Sequence, residues 1–442
     1  MINMSVEKQF VTSELTDELA RQLLNIVKQY MPLAEIDQVA LALQLAQEAC
    51  RGVSGERSIP PLEHALGVAI ILAQTHIDAV GVAAGLIFEA VDADLLPLER
   101  VEKELGIPVA RVVGSMLHLN ILERKKQTVA QGQGDVGSNR EQKKQRVREA
   151  LRRQQAETVR KMFFAMAEDP RVVLLKLAYR LHAMRMICAH TYPADSQEMV
   201  TMAEETREIY APLAGRLGMS RMESELEDLA FEVLEPEKYA WIREQVEVES
   251  KQWSSYVERV CNILREEMAK IGLRADEVSG RVKHLYSFYK KVRRNAGDVE
   301  RLEDLKAAAD FSQIHDLIAF RILVDTPSDC YVALGHVHSL WKPKEGRIKD
   351  FIANPKPNGY QALHTTVFCL DDQLVEIQIR TVAMHEMAEY GVAMHWHYKD
   401  IGDQASASAK ELLAWLRQLV DWQRELRSST ASDAEFVEAV KD

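Results

Sequence analysis

Between about Gly280 and Lys399 the chain gathers residue types that handle polyphosphates: clustered cations, carboxylates at apolar strands, and aromatics among turns. The segment GRVKHLYSFYKKVRR carries Arg281, Lys283, His284, Lys290, Lys291, Arg293 and Arg294 within fourteen positions. If it turns helical after Lys283, then Lys283, Ser287 and Lys291 lie four apart on one face. Three donors in a row, two of them charged, suit a polyphosphate, although a solvated basic helix also accounts for such a run. GRIKDFIANPKPNGYQALHTT adds Arg347, Lys349, Lys356, Asn358, Tyr360 and His364 around Pro355, Pro357 and Gly359. That stretch is too polar and turn-prone for a core element, and an aromatic set between cations suits base stacking. In LVEIQIRT, alternation puts Val375, Ile377 and Ile379 on one face and Glu376, Gln378 and Arg380 on the other. The polar side is either a solvated face or the wall of a cleft. Asp316 opens the apolar run HDLIAFRILVD, where a carboxylate is either a strand-end cap or a metal ligand. Two acids to hold Mg²⁺, cations to gather phosphates and planar groups to fix bases are what phosphoryl-type transfer needs. The chain has no G-x-x-x-x-G-K-[ST] loop, so a P-loop enzyme is not indicated.

These residues must be positioned by strands and helices whose signals are legible. HDLIAFRILVD, rich in branched residues, is expected as a strand buried on both faces. QALHTTVFCL and LVEIQIRT flank Asp371-Asp372-Gln373 and predict a hairpin whose turn lacks glycine. Gln252 to Lys270 reads as a helix. Earlier in the chain helical patterning dominates, as where Ile36, Val39, Ala40, Leu43 and Ala46 make one apolar face. Val129 to Arg146, rich in Gly, Gln and charge, is expected as a loop. Arg207 to Met219, with Pro212, Gly215 and Gly218, is expected as a connection between helices, followed by an interdomain region. After a Ser/Ala-rich spacer, ELLAWLRQLVDWQREL predicts a final helix that docks on a neighbouring domain.

At 442 residues and 47% hydrophobic content the chain can bury more than one core. A formal charge of −12 argues against bulk duplex binding. Cys50, Cys188, Cys261, Cys330 and Cys369 are odd in number, scattered and never in a C-x-x-C pair. A disulfide framework or structural zinc is therefore not expected, and a reducing cytoplasm is the expected home. No apolar stretch approaches the roughly 20 residues that span a bilayer. The opening MINMSVEKQF lacks the apolar region of an export signal.

Taken in order, GRVKHLYSFYKK, HDLIAFRI, RIKDFIANPKPNGYQALHTTV, VEIQIRT and MHEMAEYGVAMHWHYK resemble the synthetase domain of the long RelA/SpoT homologues, the (p)ppGpp synthetase/hydrolases. The resemblance implies transfer of pyrophosphate from ATP to the 3′-hydroxyl of GDP or GTP. It implies that Arg281 and Arg321 sandwich adenine, and that Lys283, Ser287, Lys291, Arg347 and Lys349 cradle the ATP phosphates. Asp316 and Glu376 would hold Mg²⁺, with Glu376 also placed to activate the acceptor hydroxyl. Tyr360 would be the guanine platform, with Lys356, Asn358, His364 and Gln378 nearby. Asn295 to Ala309 looks longer than the family's usual connector, and Arg347-x-Lys349-Asp350 is the basic pattern of bifunctional members.

The first half resembles the family's all-helical His-Asp phosphohydrolase, which removes the 3′-pyrophosphate with a Mn²⁺ held by two histidines and two aspartates. SGERSIPPLEHALGVAIILA resembles its opening block, with His64 as the first ligand. In AAGLIFEAVDAD, however, Phe88 and Glu89 stand where the adjacent His-Asp pair belongs. Asp92 and Ala93 follow where two catalytic acids are usual. In KLAYRLHAMR, Tyr179 takes the place of the last ligand aspartate, and Ala183 replaces a substrate-contacting asparagine. His182 is expected to be structural. Lone His64 beside an Asp and a Glu is a poor divalent site, so Mn²⁺ is not expected there and the domain is expected to be an inactive, regulatory partner.

The expected fold class is α+β multidomain: an all-α HD-type domain over residues 1–200, a helical linker over 201–240, a mixed α/β nucleotidyltransferase-like synthetase domain over 241–400, and a C-terminal helix or linker over 401–442. EFVEAVKD resembles the start of a link to further regulatory domains, through which ribosome and uncharged tRNA would be contacted. Three alternatives stay open: a bifunctional enzyme with an unusual metal site, a non-catalytic nucleotide-sensing regulator, and another kind of nucleotidyltransferase.

Overall fold

The computed structural model describes residues 3–51, 60–130, 169–191, 196–282, 284–297, 299, 301–309 and 318–394. Two compact units divide it, one including Met1–Met199 and the other being Val200–Val392. The expected loop after Ala130, the final helix, Lys283 and Asp316 lie outside the described residues. No helix among the described residues is long and apolar enough to cross a membrane.

The first unit is helical: α1 (Asn3–Val27), α2 (Leu33–Ala49), α3 (Pro61–Gln74), α4 (Ala79–Asp92), α5 (Leu98–Leu105), α6 (Ile107–Ala130) and α7 (Pro170–Cys188). In α4 every residue from Val82 to Phe88 is buried, as expected of a helix apolar all round and placed at the centre of a bundle. Its start is fixed by Asp78, which accepts the Gly81 N–H at 3.0 Å and pairs with Arg171 at 2.8 Å. Asp169 caps α7 through the Arg171 N–H and holds the same guanidinium at 2.7 Å. One arginine thus ties the first turns of two helices and satisfies donors that would otherwise be orphaned. The apolar face read on α2 needs one correction. Ala40 is exposed, and Ala42 and Leu45 join Val39, Leu43 and Ala46 in the core. A centrally packed helix buries a wider stripe than one strict spacing captures.

In the second unit, the segment expected as a connection between helices is itself mostly helical. A π-helical turn (Thr206–Tyr210) runs into α9 (Ala211–Arg216), following α8 (Ser196–Glu205). Pro212 follows the π-helical turn that runs into α9, and Gly218, at φ 73°, lies just past the helix end. Helices α10 (Ser220–Leu234) and α11 (Pro236–Lys270) fill most of the stretch expected as an interdomain link. Then come β1 (Ala275–Val282), α12 (Leu285–Asn295), α13 (Leu302–Ala308), β2 (Ile318–Val324), α14 (Pro327–Leu340), β3 (Lys349–Asp350), β4 (Leu363–Phe368), β5 (Leu374–Thr381) and α15 (Val382–Tyr390).

The five strands form one sheet in the order β1-β2-β5-β4-β3, with β2 and β5 parallel and the other pairs antiparallel. One face carries Phe320, Ile322, Val324, Leu363, Val367, Val375, Ile377 and Ile379 into a core shared with Phe288 and Val292 of α12. Leu305 of α13, in the long connector, is also fully buried there, so that connector contributes to the core. The expected β4–β5 hairpin is present. Its turn manages without glycine because Asp371 and Asp372 take φ of 56° and 54°, a conformation that aspartate tolerates better than most residues.

Candidate active site

Strand register alone assembles the polar face. Opposite residues in a ladder project to the same side. Lys349 of β3 faces His364 of β4, His364 faces Gln378 of β5, Gln378 faces Arg321 of β2, and Arg321 faces Ser279 of β1. The neighbouring row reads Thr366, Glu376, Ala319 and, in backbone register, Arg281. A third joins Arg380, Leu323 and Glu277. Residues separated by a hundred positions in the chain thus share one surface because β2 and β5 lie side by side.

The centre of that surface is a hydrogen-bonded chain. Gln378 Nε2 donates to Glu376 Oε1 at 2.9 Å, and His364 Nδ1 lies 3.1 Å from the same oxygen. His364 Nε2 is 2.7 Å from Tyr360 Oη. The Tyr360 ring meets Phe351 edge-on at 6.0 Å, with Lys356 Nζ 5.2 Å and the Arg380 guanidinium 5.9 Å from its centroid. These are cation–π separations, and they leave an aromatic plane framed by positive charge. Asn358 builds the loop: its Oδ1 accepts the Tyr360 N–H at 3.3 Å, and its Nδ2 donates to the Gly215 carbonyl at 3.1 Å. Gly359 between them has φ 76°, which a side chain would strain.

Basic helix α12 stands on acids from α10. His284 offers no side-chain cap, and Asp228 takes that role, accepting the Tyr286 N–H at 2.8 Å with His284 Nδ1 at 3.4 Å. Glu227 holds Lys290 at 2.9 Å. Ser287 and Lys291 are half-buried and one turn apart on α12, while Phe288, Tyr289 and Val292 face the core. Arg347, Lys349 and Lys356 are exposed. Lys349, Tyr360, His364, Glu376, Gln378 and Arg321 therefore share the sheet surface or its rim.

Glu277, His385 and Glu389 of this face were not singled out in the sequence, and they are the partners of two arginines that were. Arg380 is 2% exposed, donates to His385 Nδ1 at 2.7 Å and lies 3.5 Å from Glu389 Oε1. Arg321 pairs with Glu277 at 2.8 Å and approaches Glu389 at 3.8 Å. Burial, then Arg380 and Arg321, push His385 down to about 4, so it is a neutral acceptor. Alternation along LVEIQIRT placed Arg380 on the polar side, but nothing local pointed to its partners on α15.

In the first unit the residues of the expected hydrolase site do come together. Tyr179 Oη donates to Glu89 Oε2 at 3.2 Å, and His64 Nδ1 is 3.4 Å from the same oxygen. Phe88, 1% exposed, packs edge-on against Tyr179 at 5.1 Å. His182 lies 4.8 Å from His64 and over Gly67, where any β-carbon would strike its ring. Burial, then His64 and Arg185, push His182 down to about 3. Burial, with Glu89 and Asp92, raises the Tyr179 phenol well above its usual range. Asp92 ends α4, and Ala183 is half-buried on α7. Aromatic packing occupies the centre of this cluster.

Comparison with known proteins agrees with both units. Residues 280–403 match the region found in RelA/SpoT proteins, and residues 42–220 match an HD domain. A GTP pyrophosphokinase of Myxococcus xanthus is 38% identical over 415 residues, covering 94% of this chain and 49% of that protein. The chain belongs to the RelA/SpoT family. Another RelA/SpoT relative, the bifunctional (p)ppGpp synthase/hydrolase of Escherichia coli K12, is 34% identical over 96% of this chain and 54% of its own length. The chain spans about half the length of the curated relatives it matches. The solved small alarmone synthetase 1 of Bacillus subtilis, bound to its product pppGpp, aligns with 43% of this chain and 100% of its own at 22% identity, with a TM-score of 0.27.

Proposed function

We propose that the sheet surface centred on Glu376 transfers pyrophosphate from ATP to the 3′-hydroxyl of GDP or GTP, and that the first unit does not hydrolyse the product. The observation that carries this reading is the Tyr360–His364–Glu376 chain set within a ring of cations. A half-buried carboxylate beside a base-stacking plane is what activation of a nucleoside hydroxyl requires.

In the proposed reaction the acceptor 3′-oxygen bonds to the β-phosphorus of ATP. The bond from that phosphorus to the α,β-bridging oxygen breaks, and AMP leaves. Glu376 takes the hydroxyl proton, and His364, between Glu376 and Tyr360, fixes the orientation of both. Tyr360 stacks guanine, with Lys356, Asn358 and Gln378 around it. Arg281 and Arg321 flank adenine, while Lys283, Ser287, Lys291, Arg347 and Lys349 neutralise phosphate charge. Such a transfer depends on positioning and electrostatics rather than on covalent intermediates.

Among the described residues no group of three or more His, Cys, Asp or Glu side chains forms a metal cage. The Glu376 carboxylate, braced by the Gln378 amide N–H, offers the oxygen donor that a hard divalent cation prefers. Glu376 and Asp316 are the residues that would hold Mg²⁺, which when bound would neutralise charge on the transferring phosphates.

The reading for the first unit rests on Phe88 and Tyr179, whose rings pack edge-on against each other, with Tyr179 donating to Glu89 and His64 at 3.4 Å from the same carboxylate. Incubation with labelled ATP and GDP, with and without Mg²⁺, tests the synthetase. Metal-dependent formation of ppGpp is expected, and it should vanish in Asp316→Asn and Glu376→Gln proteins that keep the wild-type melting point. Near-normal turnover by either variant would refute the assignment. Incubation of ppGpp with Mn²⁺ tests the other half, and release of pyrophosphate would overturn it.

A further inference from the structure

One carboxylate lies where the two base-binding sides of this surface meet. Glu389 sits in the last turn of α15, and its Oε1 is 3.8 Å from Arg321, 3.5 Å from Arg380 and 3.7 Å from His385 Nδ1. Arg321 belongs to the proposed adenine side. The Arg380 guanidinium lies 5.9 Å from the centroid of Tyr360, on the proposed guanine side. Arg380 donates to His385 Nδ1 at 2.7 Å, so that nitrogen carries no proton and the imidazole is neutral. The cluster therefore holds two positive groups, Arg321 and Arg380, and two negative ones, Glu277 and Glu389. Glu277 reaches Arg321. Glu389 reaches both.

The position of Glu389 is fixed at both ends of a short helix. Thr381, the last residue of β5, caps α15 by accepting the Met384 N–H at 3.1 Å. At the other end Ser220 donates to the Ala388 carbonyl, and Val392 N–H donates to the Leu217 carbonyl at 2.9 Å. Gly391, at φ 57°, lets its backbone press against Leu217 and Gly218, and a β-carbon there would collide with main chain. The side chain of Glu389 is only 15% exposed and that of Arg380 3%. A carboxylate so placed moves little, and the guanidinium planes it holds inherit that rigidity.

We propose that Glu389 is a positioning residue that orients Arg321 and Arg380 together, so that a single carboxylate aligns the donor and acceptor base platforms. This rests on the synthetase reading of the surface. A buried ion pair serving stability alone would lower the melting point without touching the two nucleotides selectively. The experiment is steady-state kinetics of wild-type, Glu389→Gln, Glu389→Asp and Glu277→Gln proteins with ATP and GDP varied in turn. Glu389→Gln is expected to raise KM for both nucleotides about tenfold, the loss of about one charged hydrogen bond on each side. Glu277→Gln is expected to raise KM for ATP alone. Glu389→Asp, which keeps the charge, should fold like wild type and shift both constants by less than Glu389→Gln. If Glu389→Gln does not fold, the aspartate variant decides the matter by whether both constants move. A change confined to one nucleotide, a change in neither, or an equal shift of both constants by Glu277→Gln overturns the positioning role. Absence of transfer by wild type overturns the functional reading itself and takes this role with it, whereas wild-type transfer with unmoved constants in the Glu389 variants sinks the positioning role alone.

Discussion

The two units each hold a glutamate, a histidine and a tyrosine joined by polar contacts, and they put the trio in opposite surroundings. In the first unit Glu89 receives Tyr179 Oη at 3.2 Å and lies 3.4 Å from His64. In the second, Glu376 lies 3.1 Å from His364, which in turn meets Tyr360 Oη at 2.7 Å. Phe88 and His182 close the first trio from the side, and the desolvation this imposes drives His182 down to about 3. Lys356 and Arg380 flank the second, with Lys349 and Arg321 on the same strand rows. On the proposed reading the same three side chains are a packing solution in one field and a reactive constellation in the other, and what separates them is the charge around the trio rather than its members.

Removing the carboxylate charge from each trio breaks that comparison most directly. Glu376→Gln keeps the shape and an oxygen acceptor for Gln378, yet it removes both the proposed base and the proposed cation ligand. A loss of about 10³ or more in kcat, roughly 4 kcal/mol of transition-state stabilisation, is expected with no change in melting point. Glu89→Gln should leave synthesis within about twofold of wild type. Equal losses in the two variants, measured as ppGpp formed per enzyme, would mean that the contrast is wrong. Emptying the aromatic space gives the converse result. Phe88→Ala should destabilise the first unit by about 3 kcal/mol, as large-to-small changes at buried aromatics do. It should gain no manganese-dependent hydrolysis of ppGpp. Thermal unfolding and product analysis on one preparation check both.

How much of this was readable beforehand differs between the units for a physical reason. Period-2 alternation exposed the polar face of β5, and a turn of acidic residues marked the hairpin, because both signals are local. The family resemblance supplied the proposed roles of Tyr360, His364 and Arg321. Local patterning does not encode which strands pair, so the row from Lys349 to Ser279 emerged only from register. Glu389 and Glu277 sit on elements where an acid ordinarily means a solvated face, and their partners lie on other elements. Glu223 of α10 was equally silent. In the first unit Phe88 and Tyr179 stood out because they occupied positions where the family has metal ligands. Their mutual packing, and the place of His182 over Gly67, required the helices to be assembled.

Acid sharpens the contrast by a smaller amount. His182 is held near 3 in the folded protein against about 6.5 when unfolded. Between those values the unfolded chain binds the extra proton, so stability falls as pH drops from about 6.5 toward 3. At pH 5 the cost is about 2 kcal/mol relative to neutral pH. Replacing His182 by Gln, a polar group that does not titrate there, should flatten the pH dependence of the first unit's unfolding between pH 7 and 5. An unchanged slope would show that His182 is not buried as a neutral ring.

The smallest expected effect has the opposite sign and belongs to the second unit. Glu223 is pushed up to about 7, by burial first and by Glu227 next, against the opposing pull of Lys290, Lys356 and His284. Its carboxyl group packs where a β-carbon on Gly215 would sit, close to the carbonyl that anchors Asn358. Here the folded state binds its proton more tightly than the unfolded chain does. The resulting stability is complete below about 4.5 and is lost as pH rises through about 7. Glu223→Gln mimics the protonated form. It should match wild type at pH 5 and exceed it at pH 8 by about 1 kcal/mol, discounting for screening by the nearby cations. Hydrogen exchange of α10 and of the Asn358 loop at the two pH values would register the difference. If Glu223→Gln were instead less stable at pH 8, the ionised carboxylate would be a favourable partner of Lys356. The loop presenting Tyr360 would then be held by an ion pair as well as by the Asn358 hydrogen bond.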